Sequence, residues 1–244
     1  MTVPPDVVVV VPTYNERENI TGLVGAVRSH GYRVLIVDDQ SPDGSGEVAD
    51  GIAARDPAVS VLHRSAKRGL GAAYGHGFEV ALASGPGVVC QMDADFSHDP
   101  ADLPRLVAVV SEGAHVALGS RYVPGGSTPD WPLSRKLISR LGNLYARSVL
   151  GLRVHDATGG FRAYKADVLA SLEAQTAEAS GYAFQVEMAR RASEAGFEIV
   201  EVPITFRDRR YGQSKMNGRI VREAMWLVSR WGWERFVRKL PWRS

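Results

Sequence analysis

The chain has 244 residues, of which 45% are hydrophobic and 23% are charged. This composition is typical of a folded globular protein and excludes a disordered chain. The length suits one α/β domain. The single cysteine, Cys90, excludes an intrachain disulfide, and the companions that a cysteine-based zinc site would need are missing.

Charge is distributed unevenly along the chain. The segment from Arg207 to Ser244 contains eleven Lys and Arg and three Asp and Glu, a net charge of +8, so the first 206 residues carry −6 of the total of +2. A basic segment of this kind favours a phosphate-bearing partner, which leaves nucleic acid, an anionic membrane or an anionic substrate.

The sequence has no feature of export or of membrane insertion. Its first residues lack the basic segment of a secretory signal. No stretch approaches the roughly 20 apolar residues that span a bilayer. We therefore expect a cytoplasmic protein that meets membranes only peripherally.

The first 120 residues alternate between predicted strands and helices. Apolar runs such as residues 7–12 are typical of parallel strands buried on both faces. Asn15 is predicted to cap the first helix, with Glu18 completing a capping box. The later predicted elements are strand 33–38, helix 47–55, strand 59–63, helix 72–83, strand 87–93, helix 102–112 and strand 114–120. This alternation predicts an α/β fold with an open, mostly parallel central sheet flanked by helices.

The pattern changes beyond Tyr122. A loop rich in Gly and Pro at 124–132 precedes a predicted helix at 133–150, and residues 198–207 are predicted to form a strand. We assign residues 1–215 to one domain. Residues 216–244 are predicted to form a basic, Trp-bearing amphipathic helix, which is equally compatible with packing on the domain and with lying at a membrane surface.

Acidic and polar residues follow three of the predicted strands, where ligands gather in parallel sheets. Asp93 and Asp95 follow the fourth strand. Their hard oxygen atoms suit Mg²⁺ or Mn²⁺, although Asp is also common in turns and caps. Asp38 and Asp39 follow the second strand, and Asp39 is predicted to bind the base or ribose of a nucleotide.

The glycine-rich segment 69–75 partly resembles a dinucleotide-binding fingerprint. Its spacing is G-x-G-x-x-x-G, and it follows the third strand instead of opening the first βα turn. We interpret it as a glycine-rich start of a helix near the diphosphate, and not as evidence for NAD.

These motifs together resemble glycosyltransferase family 2, whose members have the GT-A fold. The resemblance narrows to the polyprenol (dolichol) phosphate mannose synthases and covers residues 7–215. It rests on the segments Pro12-Thr13-Tyr14-Asn15-Glu16, Asp38-Asp39-x-Ser41-Pro42-Asp43-Gly44, Asp93-Ala94-Asp95, Gly119-Ser120-Arg121-Tyr122, Ser134-Arg135-Lys136 with Ser139-Arg140, Asp156-Ala157-Thr158-Gly159-Gly160-Phe161-Arg162 and Arg209-Arg210-Tyr211-Gly212-x-Ser214-Lys215.

The resemblance implies an inverting transfer of mannose from GDP-mannose to polyprenyl phosphate, with a divalent metal, Mg²⁺ or Mn²⁺. It implies a nucleotide site made of Pro12, Tyr14, Glu16, Val37 and Asp39. Metal and diphosphate contacts are implied for Asp93, the Ala94 backbone and Asp95. Phosphate contacts are implied for Arg121, Arg209 and Lys215.

The acceptor phosphate is expected at Arg121, Arg135 and Arg140, although the last two are as compatible with a solvated helix face. Some family members have Gln where this chain has Ser97, which puts a third side-chain ligand of the metal in doubt. The membrane contact is expected to be peripheral or through a separate membrane-anchoring protein.

Three other interpretations of the sequence stay open. A polyprenyl-phosphate glucosyltransferase that uses UDP-glucose would share the same plan. A family 2 enzyme with a hydroxyl acceptor would need a carboxylate base, for which Asp156 is the candidate. A nucleic-acid-binding protein would explain the basic segment but not the acidic strand ends, so we expect no nucleic acid partner.

Overall fold

The structure, a computed structural model, describes residues 5–66, 69–179, 181, 183–209 and 218–238. Seven strands and eight α-helices alternate along these residues. The strands are β1 (Val7–Thr13), β2 (Arg33–Asp38), β3 (Val59–His63), β4 (Val88–Gln91), β5 (Val116–Ser120), β6 (Arg162–Lys165) and β7 (Ile199–Pro203). The helices are α1 (Arg17–Arg28), α2 (Ser45–Ala53), α3 (Leu70–Ala83), α4 (Leu103–Ser111), α5 (Leu133–Leu150), α6 (Ala166–Ser171), α7 (Ala183–Glu194) and α8 (Gly218–Arg238).

All seven strands form one sheet in the order β3-β2-β1-β4-β6-β5-β7. Every neighbouring pair is parallel except the two pairs that β6 makes with β4 and β5. Helices cover both faces, because the buried residues form one cluster around α1 and α4 and another around α3 and α7. The predicted α/β class and mostly parallel sheet are therefore confirmed.

The sequence did not predict β6, α6 or α7. β6 has only four residues, which are too few for a periodic pattern to mark it. In the sheet it lies between β4 and β5, which both precede it in the chain. The predicted strand 87–93 ends earlier, at Gln91, which leaves Asp93 outside the ladder. The predicted strand 198–207 is likewise shorter, because only Ile199–Pro203 pair with β5.

The prediction that Asn15 caps α1 is wrong. Asn15 adopts a positive φ of 59°, and the helix begins at Arg17 without a side-chain cap of its own. Instead, the turn after β2 supplies the acceptors: Ser45 Oγ accepts from the Glu16 amide at 3.0 Å and Asp43 Oδ2 from the Arg17 amide at 3.2 Å. The helix start is thus capped from a distant segment, which a local capping rule does not detect.

The glycine-rich segment opens α3, but its glycines serve packing. A Cβ atom on Gly71 would lie 2.3 Å from the Ala179 carbonyl oxygen, and one on Gly75 would lie 3.0 Å from that of Ala174. A Cβ atom on Gly77 would lie 2.7 Å from Val10. Two of these glycines let residues 174–179 approach the helix. The predicted position of the segment near a diphosphate stays a prediction.

α8 packs on the domain and is also exposed. Leu227, Val228 and Trp231 are buried in the same core cluster as α3 and α7. Trp226 and Trp233 are exposed on the outer side. Among the described helices, none is long and apolar enough to cross a membrane. The division of the chain at residue 215 stays a prediction.

Candidate active site

Three strands deliver polar residues to one edge of the sheet. β1 lies between β2 and β4 and is parallel to both, so the carboxyl ends of all three meet. The register pairs Thr13 with Asp38 and Pro12 with Val37. The Asp39 amide donates to the Thr13 carbonyl oxygen at 3.1 Å. The structure therefore brings together the strand ends that the sequence singled out.

The turn after β2 fixes the segment that follows β1. Ser41 Oγ accepts a hydrogen bond from the Asn15 amide at 3.2 Å, and Ser45 Oγ holds the Glu16 amide. Tyr14 and Glu16 are half-buried beside this turn. The expected nucleotide residues of β1 and β2 are thus held in one rigid unit.

The two adjacent aspartates after β2 have different environments. Asp38 Oδ1 accepts from Ser41 Oγ at 2.6 Å, which makes Asp38 part of the turn. Asp39 is buried and forms an ion pair with Arg64, whose side chain is also buried. The sequence analysis missed Arg64. The Arg64 guanidinium fixes the orientation of this carboxylate, which suits an acceptor of nucleotide hydrogen bonds.

The acidic pair after β4 is held in place by four contacts. Tyr74 Oη donates to Asp93 Oδ1 at 2.9 Å, and the Asp93 amide donates to His98 Nδ1 at 3.3 Å. The Ser97 amide donates to Asp95 Oδ1 at 3.0 Å. Arg209 Nε lies 3.0 Å from Asp95 Oδ2. The residues that fix this pair therefore come from α3, the loop after β4 and the segment after β7.

Burial changes the proton affinity of this cluster. It raises the pKa of Asp93 above its ordinary value; His98 opposes this rise and the Asp95 carboxylate adds to it. Burial also lowers the pKa of His98, whose ring stacks on Phe161 with centroids 5.0 Å apart. A neutral His98 can accept from the Asp93 amide, as the geometry requires.

The donor set fits a divalent metal. Asp93 and Asp95 provide hard oxygen atoms of the kind that a divalent cation prefers. In this structure the Arg209 guanidinium lies 3.0 Å from one of these atoms, Asp95 Oδ2. Within the residues that the structure describes, no group of three or more His, Cys, Asp or Glu could hold a metal. The divalent metal itself stays a prediction.

Arg121 is held by Asp156 at the end of β5. Arg121 Nε and Nη2 lie 2.7 Å and 2.6 Å from the two carboxylate oxygens of Asp156, and Nη2 also donates to Thr158 Oγ1. The guanidinium lies within 5.4 Å of the ring centroids of Trp131 and Phe206. The predicted contact of Arg121 with a phosphate stays a prediction, and this pairing limits the directions from which a phosphate can approach.

Asp156 is poorly suited to act as a general base. Its side chain is fully buried, and both oxygens are occupied by Arg121. Burial by itself would raise the pKa of Asp156, but the charge and hydrogen bonds of Arg121 hold it below its ordinary value. A buried carboxylate with a lowered pKa is a weak base for a hydroxyl acceptor.

Two further predicted cations, Arg135 and Arg140, lie on α5. Arg135 lies 4.0 Å from the ring centroid of Trp131 and pairs with Asp208 at 2.7 Å. Arg140 lies 5.8 Å from the ring centroid of Tyr122. Both are on α5, next to the aromatic residues that surround Arg121. Lys215 lies outside the described residues.

Several residues of the site were not predicted individually. They are Arg64, Tyr74, His98, Trp131 and Phe206. Ser-His-Asp after the acidic pair and the Trp in the loop before α5 are visible in the sequence, but only the structure links them to Asp93 and Arg121. Trp131 contacts Phe206 edge-on at 5.4 Å, and Phe206 contacts His98 in the same way. An aromatic cluster thus connects the acidic pair to α5.

Curated relatives resemble most of the chain. It is 49% identical over 228 residues to the polyprenol monophosphomannose synthase of Mycolicibacterium smegmatis, a match that covers 92% of this chain and 86% of that protein. It is 50% identical over 228 residues to the undecaprenyl-phosphate mannosyltransferase of Micrococcus luteus, with 93% of each covered. The resemblance to polyprenol phosphate mannose synthases is therefore confirmed.

Solved structures share the fold. One is the mannosyltransferase PcManGT from Pyrobaculum calidifontis in complex with GDP-Man and Mn²⁺, with 17% identity, a TM-score of 0.61, and coverage of 98% of this chain and 66% of that chain. Another is S. aureus TarS in complex with UDP-GlcNAc, with 18% identity, a TM-score of 0.60, and coverage of 91% and 65%. These similarities support a GT-A-type fold.

The sequence also matches the family described as Glycosyl transferase family 2 over residues 8–172, which is more than half of the chain. That range includes β1 to β6, and so the strand ends that carry Asp39, Asp93, Asp95 and Arg121. The chain is a glycosyltransferase and belongs to glycosyl transferase family 2.

Proposed function

We propose that this enzyme transfers mannose from GDP-mannose to polyprenyl phosphate, with inversion at the anomeric carbon. The names of the two relatives at about half identity support a mannosyl donor and a polyprenyl phosphate acceptor. PcManGT, which shares only the fold, is described with GDP-Man and Mn²⁺. One observation carries the reaction class: a buried pair of carboxylates, Asp93 and Asp95, lies beside the guanidinium of Arg209 at the end of β4.

The donor would lie across the carboxyl ends of β1, β2 and β4. The nucleoside would contact Asp39, held by Arg64, and the backbone segment from Pro12 to Glu16. The diphosphate would lie at Asp93, Ala94 and Asp95. A divalent metal, Mg²⁺ or Mn²⁺, would stabilise the negative charge that develops on the leaving diphosphate. Arg209 and Lys215 would contribute positive charge to the same phosphates.

The acceptor needs orientation more than deprotonation. A phosphate monoester is already an anion at neutral pH, so an oxygen of the acceptor phosphate can attack the anomeric carbon directly. The bond between that carbon and the diphosphate oxygen breaks, and GDP leaves. This chemistry agrees with the occupied carboxylate of Asp156, which offers no free base. Arg135 and Arg140 on α5, with Arg121 behind them, would hold the acceptor phosphate.

The location follows from the substrates. A long-chain polyprenyl phosphate is embedded in a bilayer, so we propose that the enzyme works at the cytoplasmic face of a membrane, either peripherally or with a separate membrane-anchoring protein. A nucleic acid partner has no place in this scheme, because the acidic strand ends would repel its phosphates.

The test is transfer of radiolabel from GDP-mannose into lipid that organic solvent extracts. Purified protein is mixed with a polyprenyl phosphate and Mg²⁺ or Mn²⁺, with UDP-glucose as a parallel donor. Controls are EDTA and the variant Asp95→Ala. Label from GDP-mannose that both controls abolish is the expected result. Label from UDP-glucose alone would replace mannose by glucose, and no lipid label from folded protein would overturn the phosphate acceptor.

A further inference from the structure

Five large apolar side chains are exposed on α5, and the exposed large apolar residues of the described chain lie almost entirely on α5 and α8. The five on α5 are Leu133, Leu137, Ile138, Leu141 and Leu144, each between 54% and 83% exposed. At about 100° per residue, Leu133, Leu137, Leu141 and Leu144 fall within about 80° of the helix circumference. A stripe of this size on the surface of a soluble domain marks an interaction site and is not explained by packing.

The opposite side of α5 is the one that packs on the domain. Asn143, Ala146 and Leu150 are buried there, and Asn143 donates to Thr158 Oγ1 at 3.1 Å. The C-terminal half of the helix is therefore held on the domain by Asn143, Ala146 and Leu150, while five other large apolar residues face outward. A helix that docks through its whole apolar face would bury those five residues as well.

α8 extends the apolar surface. A Cβ atom on Gly232 would lie 2.2 Å from Val149 Cγ1, so this glycine lets α8 approach α5 closely. Beside this contact, the two helices enclose a mainly apolar groove of about 460 Å³, lined by Tyr145, Val149, Ser229, Gly232, Trp233 and Phe236. Trp233 and Phe236 are exposed, with ring centroids 5.8 Å apart. We call the five apolar residues of α5 together with Trp233 and Phe236 the α5–α8 face.

The charge of α5 indicates which partner the α5–α8 face binds. α5 contains four basic residues, Arg135, Lys136, Arg140 and Arg147, and no acidic residue. A second copy of the chain docked through the same face would place its positive charges next to those of the first copy, and the two sets would repel each other. A bilayer with anionic headgroups attracts these basic residues, of which Arg135 is already paired with Asp208, and it also accepts the apolar side chains and the indole of Trp233.

We infer that the α5–α8 face inserts into the headgroup region of an anionic lipid surface, with the stripe on α5 as its main contact. This inference rests on the proposed function, because a membrane-embedded acceptor is the reason for such a lipid contact. Tyr122 Oη donates to Ser139 Oγ on α5 at 2.6 Å, and Tyr122 and Trp131 both contact Arg121. Insertion of α5 therefore sets the depth at which the acceptor side of the site meets the lipid headgroups.

The experiment is co-sedimentation with vesicles. Wild-type protein is mixed with phosphatidylcholine vesicles that contain or lack phosphatidylglycerol, together with the variant Leu137→Ser/Leu141→Ser. The matched control is Val80→Ser, which changes a partly exposed apolar residue on α3. We expect binding to the anionic vesicles only, a loss of at least about tenfold in partitioning for the α5 variant, and no change for the control. Unchanged thermal unfolding confirms that both variants fold.

Three results would overturn the inference. The first is wild-type protein that does not bind anionic vesicles, and the second is an α5 variant that binds them as well as wild type does. The third is a wild-type dimer in lipid-free analytical ultracentrifugation that the α5 variant makes monomeric, because the stripe would then be a contact between copies.

Activity separates this inference from the proposed function. With a short, water-soluble prenyl phosphate as acceptor, the α5 variant should transfer mannose at the wild-type rate, whereas transfer to a long-chain acceptor in anionic vesicles should fall. Wild-type protein that binds vesicles but transfers to neither acceptor would remove the proposed function and leave the lipid contact in place. Transfer by wild type with vesicle binding that does not depend on Leu137 and Leu141 would remove the lipid contact alone.

Discussion

Arg209 contacts the second carboxylate of the acidic pair, with its Nε 3.0 Å from Asp95 Oδ2. Asp95 is almost completely buried, and the Arg209 side chain is about three-quarters buried. A cationic side chain that follows β7 thus lies where a divalent metal would find one of its ligands. A metal bound at Asp95 would compete with Arg209 for the same oxygen atoms, so metal binding and the position of the segment after β7 would be coupled.

Replacement of Arg209 by Gln should have opposite effects on metal binding and on transfer. The metal would no longer compete with the guanidinium, so we expect its affinity to rise about tenfold, the equivalent of about 1.4 kcal/mol. Transfer should fall, because a positive charge beside the diphosphate is lost. Mn²⁺ binding is measured by electron paramagnetic resonance of the free ion, and transfer by lipid label. Arg209→Lys keeps the charge, so its Mn²⁺ affinity and its transfer rate should each lie between those of wild type and Arg209→Gln. Weaker Mn²⁺ binding by Arg209→Gln than by wild type would contradict this prediction.

The buried ion pair between Arg121 and Asp156 should contribute strongly to stability. Asp156→Asn leaves a nearly buried guanidinium without its charged partner, which costs roughly 3–5 kcal/mol in comparable pairs. The free energy of unfolding is measured by urea denaturation. The control is Glu194→Gln, which breaks a more exposed pair with Arg190 on one helix and should cost less than about 0.5 kcal/mol. Equal losses for the two variants would show that the Asp156 pair is not special.

The same pair predicts how stability depends on pH. The pKa of Asp156 is lower in the folded protein than its ordinary value, because Arg121 outweighs the effect of burial. The pair's contribution is therefore present above the unfolded pKa, about 3.9, and is lost as the pH falls through the folded pKa. We expect the urea midpoint to fall on acidification below about pH 5. Asp156→Asn should make this fall shallower, although Asp43 and Asp56, with lowered pKa values of their own, keep part of it.

Gly71 should be intolerant of even a methyl group. Its Cβ would lie 2.3 Å from the backbone oxygen of Ala179, which cannot rotate away, so Gly71→Ala should cost about 1–3 kcal/mol of stability. Gly142 in α5 offers the matched control, because no atom lies within 4 Å of a Cβ built there. Gly142→Ala should instead stabilise by about 0.5–1 kcal/mol. Thermal or urea unfolding of the two variants measures the difference, and a neutral Gly71→Ala would contradict the packing role.

Local patterns determined much of the framework. The predicted bounds of α5, 133–150, agree with the structure, because a loop rich in Pro and Gly precedes the helix and Gly151 follows it in a left-handed conformation. Apolar runs also located β1 to β5 to within a few residues. The parallel order then implied that Asp39 and Asp93 would meet at one edge of the sheet, since carboxyl ends of parallel strands share an edge.

Contacts between distant segments were decided by the tertiary structure alone. β6 enters the sheet antiparallel between β4 and β5, and this places residues 156–162 beside Arg121 and the acidic pair. No period in the sequence encodes that insertion.

The roles of individual side chains depended on the same packing. Composition and spacing identified Arg121, Asp156 and Arg209 as charged residues, but which of them face each other follows from strand order and from the loop after β7. The exposure of α5 is also a tertiary property: its amphipathic pattern is visible in the sequence, yet only the packing of Ala146 and Leu150 on the domain decides that the leucine stripe faces outward. Periodicity is set by the backbone geometry of each element, whereas the direction in which a face points is set by what the rest of the chain leaves to cover it.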